Sequence, residues 1–171
     1  MSRIEELKKE IEASKAITEK LQKELEREKQ KTKIEFPSLK MHEHYWLINN
    51  DGEVFRSWRS ADVLDVGRYE IGNVFHTQEE AEKERDRCIL LTRFRQFRDK
   101  CNGDWKPNFK DENSWKHYIN FNHQQNRMKI YPCWNLKEFN LFGYFKNESD
   151  AARAIELFGD EIKRLFVEEE K

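Results

Sequence analysis

The chain has 171 residues, of which 38% are charged and 13% are aromatic, and its formal net charge is −1. So many aromatic rings exclude a disordered chain, and a net charge near zero excludes both a polycation for nucleic acid and a polyanionic mimic of DNA. The three cysteines, Cys88, Cys101 and Cys133, form no C-x-x-C motif, which favours a reducing compartment. No apolar run is long enough for a membrane span and no signal peptide is visible, so we expect a cytoplasmic protein with no membrane partner.

A helical arm is predicted over residues 1–36, because the first 33 residues contain no glycine, proline or aromatic residue. Ser2 and Glu5 have the spacing of a capping box at its start, and Pro37 marks its end. Apolar residues recur in steps of three and four, with two polar residues in the middle of the stripe. The stripe is Ile4, Leu7, Ile11, Ser14, Thr18, Leu21 and Leu25.

This spacing is typical of a coiled coil, so we expect the apolar residues Ile4, Leu7, Ile11, Leu21 and Leu25 to join copies of the chain. The stripe does not distinguish a dimer from a trimer. The alternative is that the arm docks on the chain's own body.

The body, residues 37–171, begins with a predicted hairpin. In "YWLINNDGEVFRSW" two β-prone runs flank Asn50, Asp51 and Gly52, and Asp-Gly predicts a type I′ turn. The segment "RYEIGNVF" (68–75) predicts a third strand. Thr77 and Glu80 then have capping-box spacing and predict a helix to about residue 101.

The second half of the body has the same predicted order. The runs "HYINFN" and "RMKIYPCW" flank "HQQN", and "FNLFGYF" (139–145) predicts a third strand. Asn147 then caps a helix with one apolar face. The face is Ala151, Ile155, Phe158, Ile162 and Leu165.

The phrases "FHTQEEA" and "FKNESDA" mark the same strand-to-helix junction in both halves, 145 − 75 = 70 residues apart. We therefore predict an α+β protein in which the arm is followed by two β-β-β-α units, 44–101 and 116–167, related as an internal repeat. The alternative is two unrelated capping sequences, which are common in proteins.

No catalytic constellation is present in the sequence. There is no P-loop, G-x-S-x-G or H-E-x-x-H motif, and the pair His42 and His44 lacks a third metal ligand. The sequence therefore predicts no enzyme activity, no catalytic residue, no metal and no cofactor.

Two segments are candidates for binding. Residues 85–100 carry six basic and two acidic side chains, a local charge of 6 − 2 = +4, and arginines interleaved with Phe94 and Phe97 suit phosphate contact and base stacking. The link over 102–115 carries three aromatic rings among polar residues. The alternative is that these rings are core and the arginines pair with the chain itself. The candidate binding residues are Arg87, Arg93, Arg95, Arg98, Trp58, Trp105 and Trp115.

From about residue 45 to 166 the chain resembles a family of small proteins from phages and prophages of Gram-positive bacteria. The phrases that carry this resemblance are "YWLINNDGEV", "RYEIGNVFHTQEEAEK" and "YFKNESDAARAIELFGDEI". The resemblance implies a phage origin but no particular activity. Because phage accessory proteins of this size often disable a host defence component, we expect a host protein as the partner, in the cytoplasm of the bacterial host. The alternative is a nucleic-acid or nucleotide binder that uses residues 85–100 and 102–115.

Overall fold

The computed structural model describes residues 3–31, 39–60, 62–135 and 137–168. The prediction of mixed helix and sheet with an N-terminal helix is confirmed. The chain divides into two compact units, Met1–Lys40 and Met41–Lys171. The elements in chain order are α1 (Arg3–Lys31), β1 (His44–Ile48), β2 (Val54–Trp58), α2 (Val63–Glu70), α3 (Gln78–Asn102), β3 (Lys116–Asn122), β4 (Arg127–Cys133), α4 (Glu148–Ile162) and a π-helical turn (Lys163–Val167). None of the described helices is both long and apolar enough to cross a bilayer.

The first unit contains helix α1, which is 29 residues long. The helix is rich in Glu, Lys, Leu and Ala, which are strong helix formers. Arg3 also forms an ion pair with Glu6, one turn later, at 3.6 Å. The predicted cap at Ser2 and the predicted end at Pro37 lie outside the described residues.

Both predicted hairpins are present as two-stranded antiparallel sheets, β1 with β2 and β3 with β4. The type I′ turn predicted for the first hairpin is wrong. Within the described loop 49–53 only Gly52 has a positive φ, of 80°, and its N–H donates to the carbonyl of Asn49 at 3.1 Å. The Asn49 side-chain oxygen accepts from the backbone N–H groups of Asp51 and Glu53. Because the Asn49 side chain accepts hydrogen bonds from within the loop, the hairpin has a loop longer than the two residues of a type I′ turn, with its glycine in the left-handed conformation.

The prediction of third strands over 68–75 and 139–145 is wrong. In each segment a single phenylalanine pairs with the neighbouring hairpin through an isolated β-bridge. Phe75 exchanges two backbone hydrogen bonds with Trp46 of β1, both 2.9 Å long. Phe145 does the same with His117 of β3, at 2.7 and 2.9 Å. Residues 68–70 belong to α2 instead. The body therefore does not contain two β-β-β-α units as predicted.

An asparagine side chain replaces the rest of each missing strand. The Asn73 amide donates to the carbonyl of Ile48 and accepts from its N–H, both at 2.8 Å. The Asn140 amide donates to the carbonyl of Ile119 at 3.2 Å. Each isoleucine lies two residues beyond the strand residue that meets the bridging phenylalanine.

Glycines explain why the backbone does not continue as a strand at these places. Gly72 and Gly143 have φ values of 72° and 73°, in the left-handed region that glycine adopts at little cost. The chain therefore turns shortly before Phe75 and Phe145, and the β-prone composition around them is overridden.

The capping box predicted for α3 is confirmed, with the Thr77 hydroxyl accepting from the N–H of Glu80 and the Glu80 carboxylate accepting from the N–H of Thr77. The predicted helix end near residue 101 agrees with the structure. Asn147 precedes α4 as predicted, but its side chain bonds Asp150 and makes no capping bond to the backbone.

The main core lies between α3, α4 and the second hairpin. The Phe94 ring centre lies 4.8, 5.4 and 5.8 Å from those of Phe142, Phe158 and Phe145. The predicted face of the last helix points into this core, since Phe158 and Ile162 are buried with Ile119 of β3, and Ile155 packs against them half-buried. Helix α3 also contacts the first hairpin, so it connects the two halves of the body.

Replacing Phe158 by Ala is expected to lower the free energy of unfolding by about 3–5 kcal/mol, because it removes a ring from the centre of the aromatic cluster. Urea denaturation measures this loss. The matched control is Leu157→Ala on the same helix, whose side chain is 54% exposed and should change stability little. Equal midpoints for wild type and Phe158→Ala would contradict the packing described here.

Candidate functional site

Helix α2 has its polar side turned inward and its apolar side turned outward. Asp65 is 2% exposed, and Arg68, one turn later, is half-buried. Four apolar residues of this helix and of its C-cap are exposed, and we call them the α2 patch: Val63 (87%), Leu64 (66%), Val66 (54%) and Ile71 (77%). Successive helical residues are about 100° apart, which places Val63 and Val66 opposite Asp65 and Arg68, whereas Leu64, four residues before Arg68, lies at the border between the two sides.

A buried hydrogen-bond network holds α2 in this orientation. The Asp65 carboxylate accepts from the Tyr45 hydroxyl at 2.6 Å and from the N–H and hydroxyl of Ser60 at 2.7 and 3.1 Å. Arg68 donates to the same Tyr45 oxygen at 2.8 Å and lies 3.4 Å from the Asp65 carboxylate. Because the buried charge is satisfied on several sides, rotating the helix would leave it unpaired at a cost of several kcal/mol.

Tyr45 remains a hydrogen-bond donor in this network. Burial, with a further contribution from the hydrogen bond to Asp65, raises the pKa of its hydroxyl above the ordinary value. The proton therefore stays on Tyr45 throughout the neutral pH range, and Asp65 keeps its shortest contact.

Trp58, one of the predicted binding residues, ends β2 four residues before the N-cap of α2. Its side chain is 58% exposed, as is that of Phe55 in the same strand. Asp62 caps α2 by accepting from the N–H of Asp65 at 2.9 Å. The segment from β2 to the C-cap of α2 thus exposes six large apolar side chains, although Phe55 and Trp58, three residues apart in one strand, lie on opposite faces of the hairpin.

Helix α2 was not predicted from the sequence, although two signals for it are present. Asp62 and Asp65 stand in the cap and first-turn positions of a helix, and Ser60 precedes them. Val63, Val66 and Gly67 oppose a helix by intrinsic propensity, and residues 68–70 fall within the strand predicted over 68–75. The contact between Tyr45 and Asp65, twenty residues apart, decides in favour of the helix.

The predicted arginines of α3 are mostly bound by their own chain. Arg87 donates to the carbonyl of Leu165 at 2.8 Å, Arg93 donates to Glu161 at 3.0 Å, and Arg98 donates to the carbonyl of Phe142 at 3.0 Å. Arg95 is exposed and has no hydrogen-bond or ion-pair partner in the described part of the chain. Phe94 and Phe97 lie in or against the core. The arrangement favours the alternative in which this helix is structural.

The link between α3 and β3 is closed by Lys116, which is 0% exposed. Its ammonium group donates to the carbonyls of Asp111, Ser114 and Trp134 at 3.0, 2.6 and 3.0 Å. It also lies 5.5 Å from the ring centre of Phe109. Three carbonyl partners use all three donors of the ammonium group, so Lys116 holds the link against the end of β4.

The aromatic residues of the link divide between a packed cluster and the surface. Trp105 and Phe109 pack against Tyr118 and Cys133 on the second hairpin and against Tyr144 in the segment before α4. Burial, and then a hydrogen bond to Glu138, raises the pKa of Tyr118 to about 12, so its hydroxyl stays a donor. Trp115 remains half-exposed and meets the Trp134 ring edge-on at 4.8 Å.

A cleft of about 390 Å³ lies where the C-terminal end of α3 meets the link. Its lining includes Arg98, Asn102, Trp105, Lys106 and Tyr144. Of the predicted binding residues the structure brings together only Arg98 and Trp105 within this cleft. Asp99 also lines the cleft, and its carboxylate oxygen lies 2.7 Å from a guanidinium nitrogen of Arg98. The positive charge of Arg98 is therefore partly neutralised.

All five apolar residues of the predicted oligomerisation stripe on α1 are exposed, between 42% for Leu7 and 66% for Ile4. Ile17, which was not among the predicted residues, is 60% exposed and borders the stripe beside Thr18. The Thr18 hydroxyl donates to the carbonyl of Ser14 at 2.9 Å. The polar middle of the stripe is therefore internally bonded at Thr18, whose hydroxyl proton needs no partner from another chain.

Comparison of the chain with models of known protein families, with curated proteins and with solved structures found no match. The resemblance to phage proteins, and the function that it implies, therefore stay predictions.

Replacing Asp65 by Ala is expected to destabilise the protein by about 3–5 kcal/mol, because it leaves the Arg68 charge and the Tyr45 and Ser60 donors without their partner. Thermal unfolding followed by circular dichroism measures the change. Glu70→Ala is the control, since Glu70 lies on the same helix and is exposed. If both variants melt with the wild type, the network does not hold α2.

Proposed function

We propose that this protein is a non-enzymatic phage accessory protein that binds and inhibits a host protein, and that the α2 patch is its binding surface. The observation that supports a protein partner is the inverted helix, which exposes Val63, Leu64, Val66 and Ile71 above a buried polar network. A folded partner with an apolar groove is the occupant that this surface fits. The host-defence role of that partner is implied by the resemblance to phage proteins.

The energetics favour a small apolar contact of this kind. Each apolar side chain that becomes fully buried contributes about 1.5–3 kcal/mol, and a few central residues usually supply most of the binding energy of an interface. The network around Asp65 fixes α2 before the partner arrives, so little conformational entropy is lost on binding.

We further propose that the two halves of the body are copies of one unit in which α2 is an addition. The bridging phenylalanines define the equivalence, with Trp46 to Phe75 spanning 75 − 46 = 29 residues and His117 to Phe145 spanning 145 − 117 = 28. Each phenylalanine is followed by a helix beginning three residues later. In the first half α2 precedes the bridge, whereas the described part of the equivalent segment, 134–135 and 137–144, contains no helix. Because α2 would be present in only one of the two copies, we assign the binding function to it and not to the elements that the copies share.

Self-association through α1 is part of the proposal. Two or more copies would present as many α2 patches, and a partner that is itself oligomeric would then be held by several contacts at once. Linking two weak sites in this way raises avidity by about 10²–10⁴ when the geometry allows both to engage. The setting that we propose is the cytoplasm of the bacterial host.

The substitution Leu64→Glu is expected to abolish capture of the partner while leaving the fold intact, because the side chain is 66% exposed and a charge cannot enter an apolar groove cheaply. Affinity capture from host lysate, quantified by mass spectrometry, compares it with the wild type. The matched control is Leu157→Glu, an equivalent change at an exposed position on α4. A partner lost in both variants, or retained in both, argues against the α2 patch.

The second candidate function is nucleotide or single-stranded nucleic-acid binding in the cleft between α3 and the link. Trp105 offers a half-buried aromatic ring there, and Lys106 and Arg98 offer positive charge. Binding of a fluorescent oligonucleotide measured at rising salt tests it, because phosphate contacts release counterions and affinity must fall steeply. The variant Trp105→Ala should then lose affinity at every salt concentration, and no binding at low salt would exclude this function.

A further inference from the structure

We infer that α1 pairs with α1 of a second copy as a parallel, in-register, two-stranded coiled coil. The inference rests on the self-association in the proposed function and specifies its partner, orientation and number of strands. The apolar residues of the α1 stripe are all exposed, and a second copy of the same stripe is the surface that matches its spacing.

The heptad positions follow from the stripe. Ile4, Ile11, Thr18 and Leu25 occupy the position conventionally called a, and Leu7, Ser14 and Leu21 occupy d. Three of the four residues at a are β-branched, and the apolar residues at d are leucines. That combination favours two strands over three or four.

The charges beside the stripe distinguish the two possible orientations. In a parallel pair each g residue faces the e residue five positions later in the partner, so Glu10 faces Lys15 of the second copy, twice by symmetry. The unfavourable parallel contact is Arg3 with Lys8 at the first turn, where Arg3 already has Glu6 as an ion-pair partner within its own helix.

An antiparallel pair brings like charges together. When the stripes are aligned so that Leu7 faces Leu25, Ile11 faces Leu21 and Ser14 faces Thr18, which pairs the polar middle with itself, Glu10 faces Glu24 twice and Lys15 faces Lys15. No attractive pair replaces them among residues 3–27, the part of α1 whose side chains are described. Like charges across a seam destabilise an association, so the pattern favours the parallel orientation.

The middle of the seam is compatible with this arrangement. In register, Ser14 faces Ser14 and Thr18 faces Thr18, and the Thr18 hydroxyl is already bonded to the Ser14 carbonyl of its own helix. A single polar stretch at matching positions penalises any shift of one helix along the other, because a shifted pair would bury hydroxyl groups against leucine.

The substitution Glu10→Lys gives opposite results for the two orientations. In the parallel pair it sets the new ammonium group against Lys15 twice, and the dissociation constant of the full chain, measured by analytical ultracentrifugation at low salt, should rise about tenfold. In the antiparallel pair it sets the new ammonium group against Glu24, and the constant should fall. Since a lysine at position 10 also gains Glu6 as an i,i+4 partner, loss of helix does not explain a weaker association.

Two controls accompany this measurement. The double variant that combines Glu10→Lys with Lys15→Glu restores the attraction and should return the dissociation constant to the wild-type value. Glu26→Lys makes the same charge change at an exposed position away from the seam and without a lysine at i±4, and should alter it by much less than Glu10→Lys. Added salt should reduce the difference between Glu10→Lys and the wild type, because these charges are exposed.

Cross-linking tests the register independently. In a Cys88→Ser background, Ser14→Cys should form a disulfide with its own copy under mild oxidation, because residue 14 meets residue 14 only in the parallel register. If Ser14→Cys cross-links only when mixed with Thr18→Cys, the orientation is antiparallel and the inference is overturned. A tighter Glu10→Lys association, or a mass of three chains, overturns it too while leaving self-association intact. A wild-type chain that is monomeric at micromolar concentration removes the self-association itself.

Discussion

The body depends on how two small hairpins, each of only two strands, are covered. An isolated two-stranded hairpin is marginally stable in water, so each must bury one face and close one edge with something other than a third strand. Phe145 does both for the second hairpin. Its backbone pairs with His117, and its buried ring lies 5.8 and 6.3 Å from the rings of Phe94 and Phe97 on α3. Asn102, at the end of α3, then holds both neighbours of Phe145, the carbonyl of residue 144 and the N–H of residue 146.

Helix α3 is the common support of the two hairpins, and this explains a mismatch in the sequence. Its capping box, formed by Thr77 and Glu80, is the one predicted. The rest of the helix does not have the single apolar face of α4, because arginines interrupt it. The helix contacts the first hairpin and also packs Leu90 and Phe94 into the core of the second half. A helix with two neighbours needs two narrow apolar faces, and arginines between them are bound by the carbonyls and carboxylates of the elements beside them.

Local signals in the sequence were sufficient for most helices and for both hairpins. The Thr77 and Glu80 capping box, the apolar face around Phe158 and the position of the hairpin loop near Gly52, though not its turn type, each depend on a few neighbouring residues, so they can be recognised without a structure. What could not be predicted depends on distant contacts. Helix α2 is stabilised by Tyr45, twenty residues away from Asp65, and the missing third strands depend on asparagine amides that reach across to β1 and β3. The inverted face of α2, and with it the main candidate site, was therefore not visible in the sequence, whereas the exposed stripe of α1 was.

The asparagine amides also affect whether the strand edges of this protein can pair with strands of other chains. An unpaired strand edge invites the strand of another chain, which can lead to fibrils. At β1 the N–H and carbonyl of Ile48 are both taken by Asn73, and those of Trp46 by Phe75, so an incoming strand finds no free ladder there. On β4, Pro132 lacks the N–H that such a ladder would need. The chain thus saves the length of two strands and, with the same few residues, closes the outer edge of β1 to the strand of another chain.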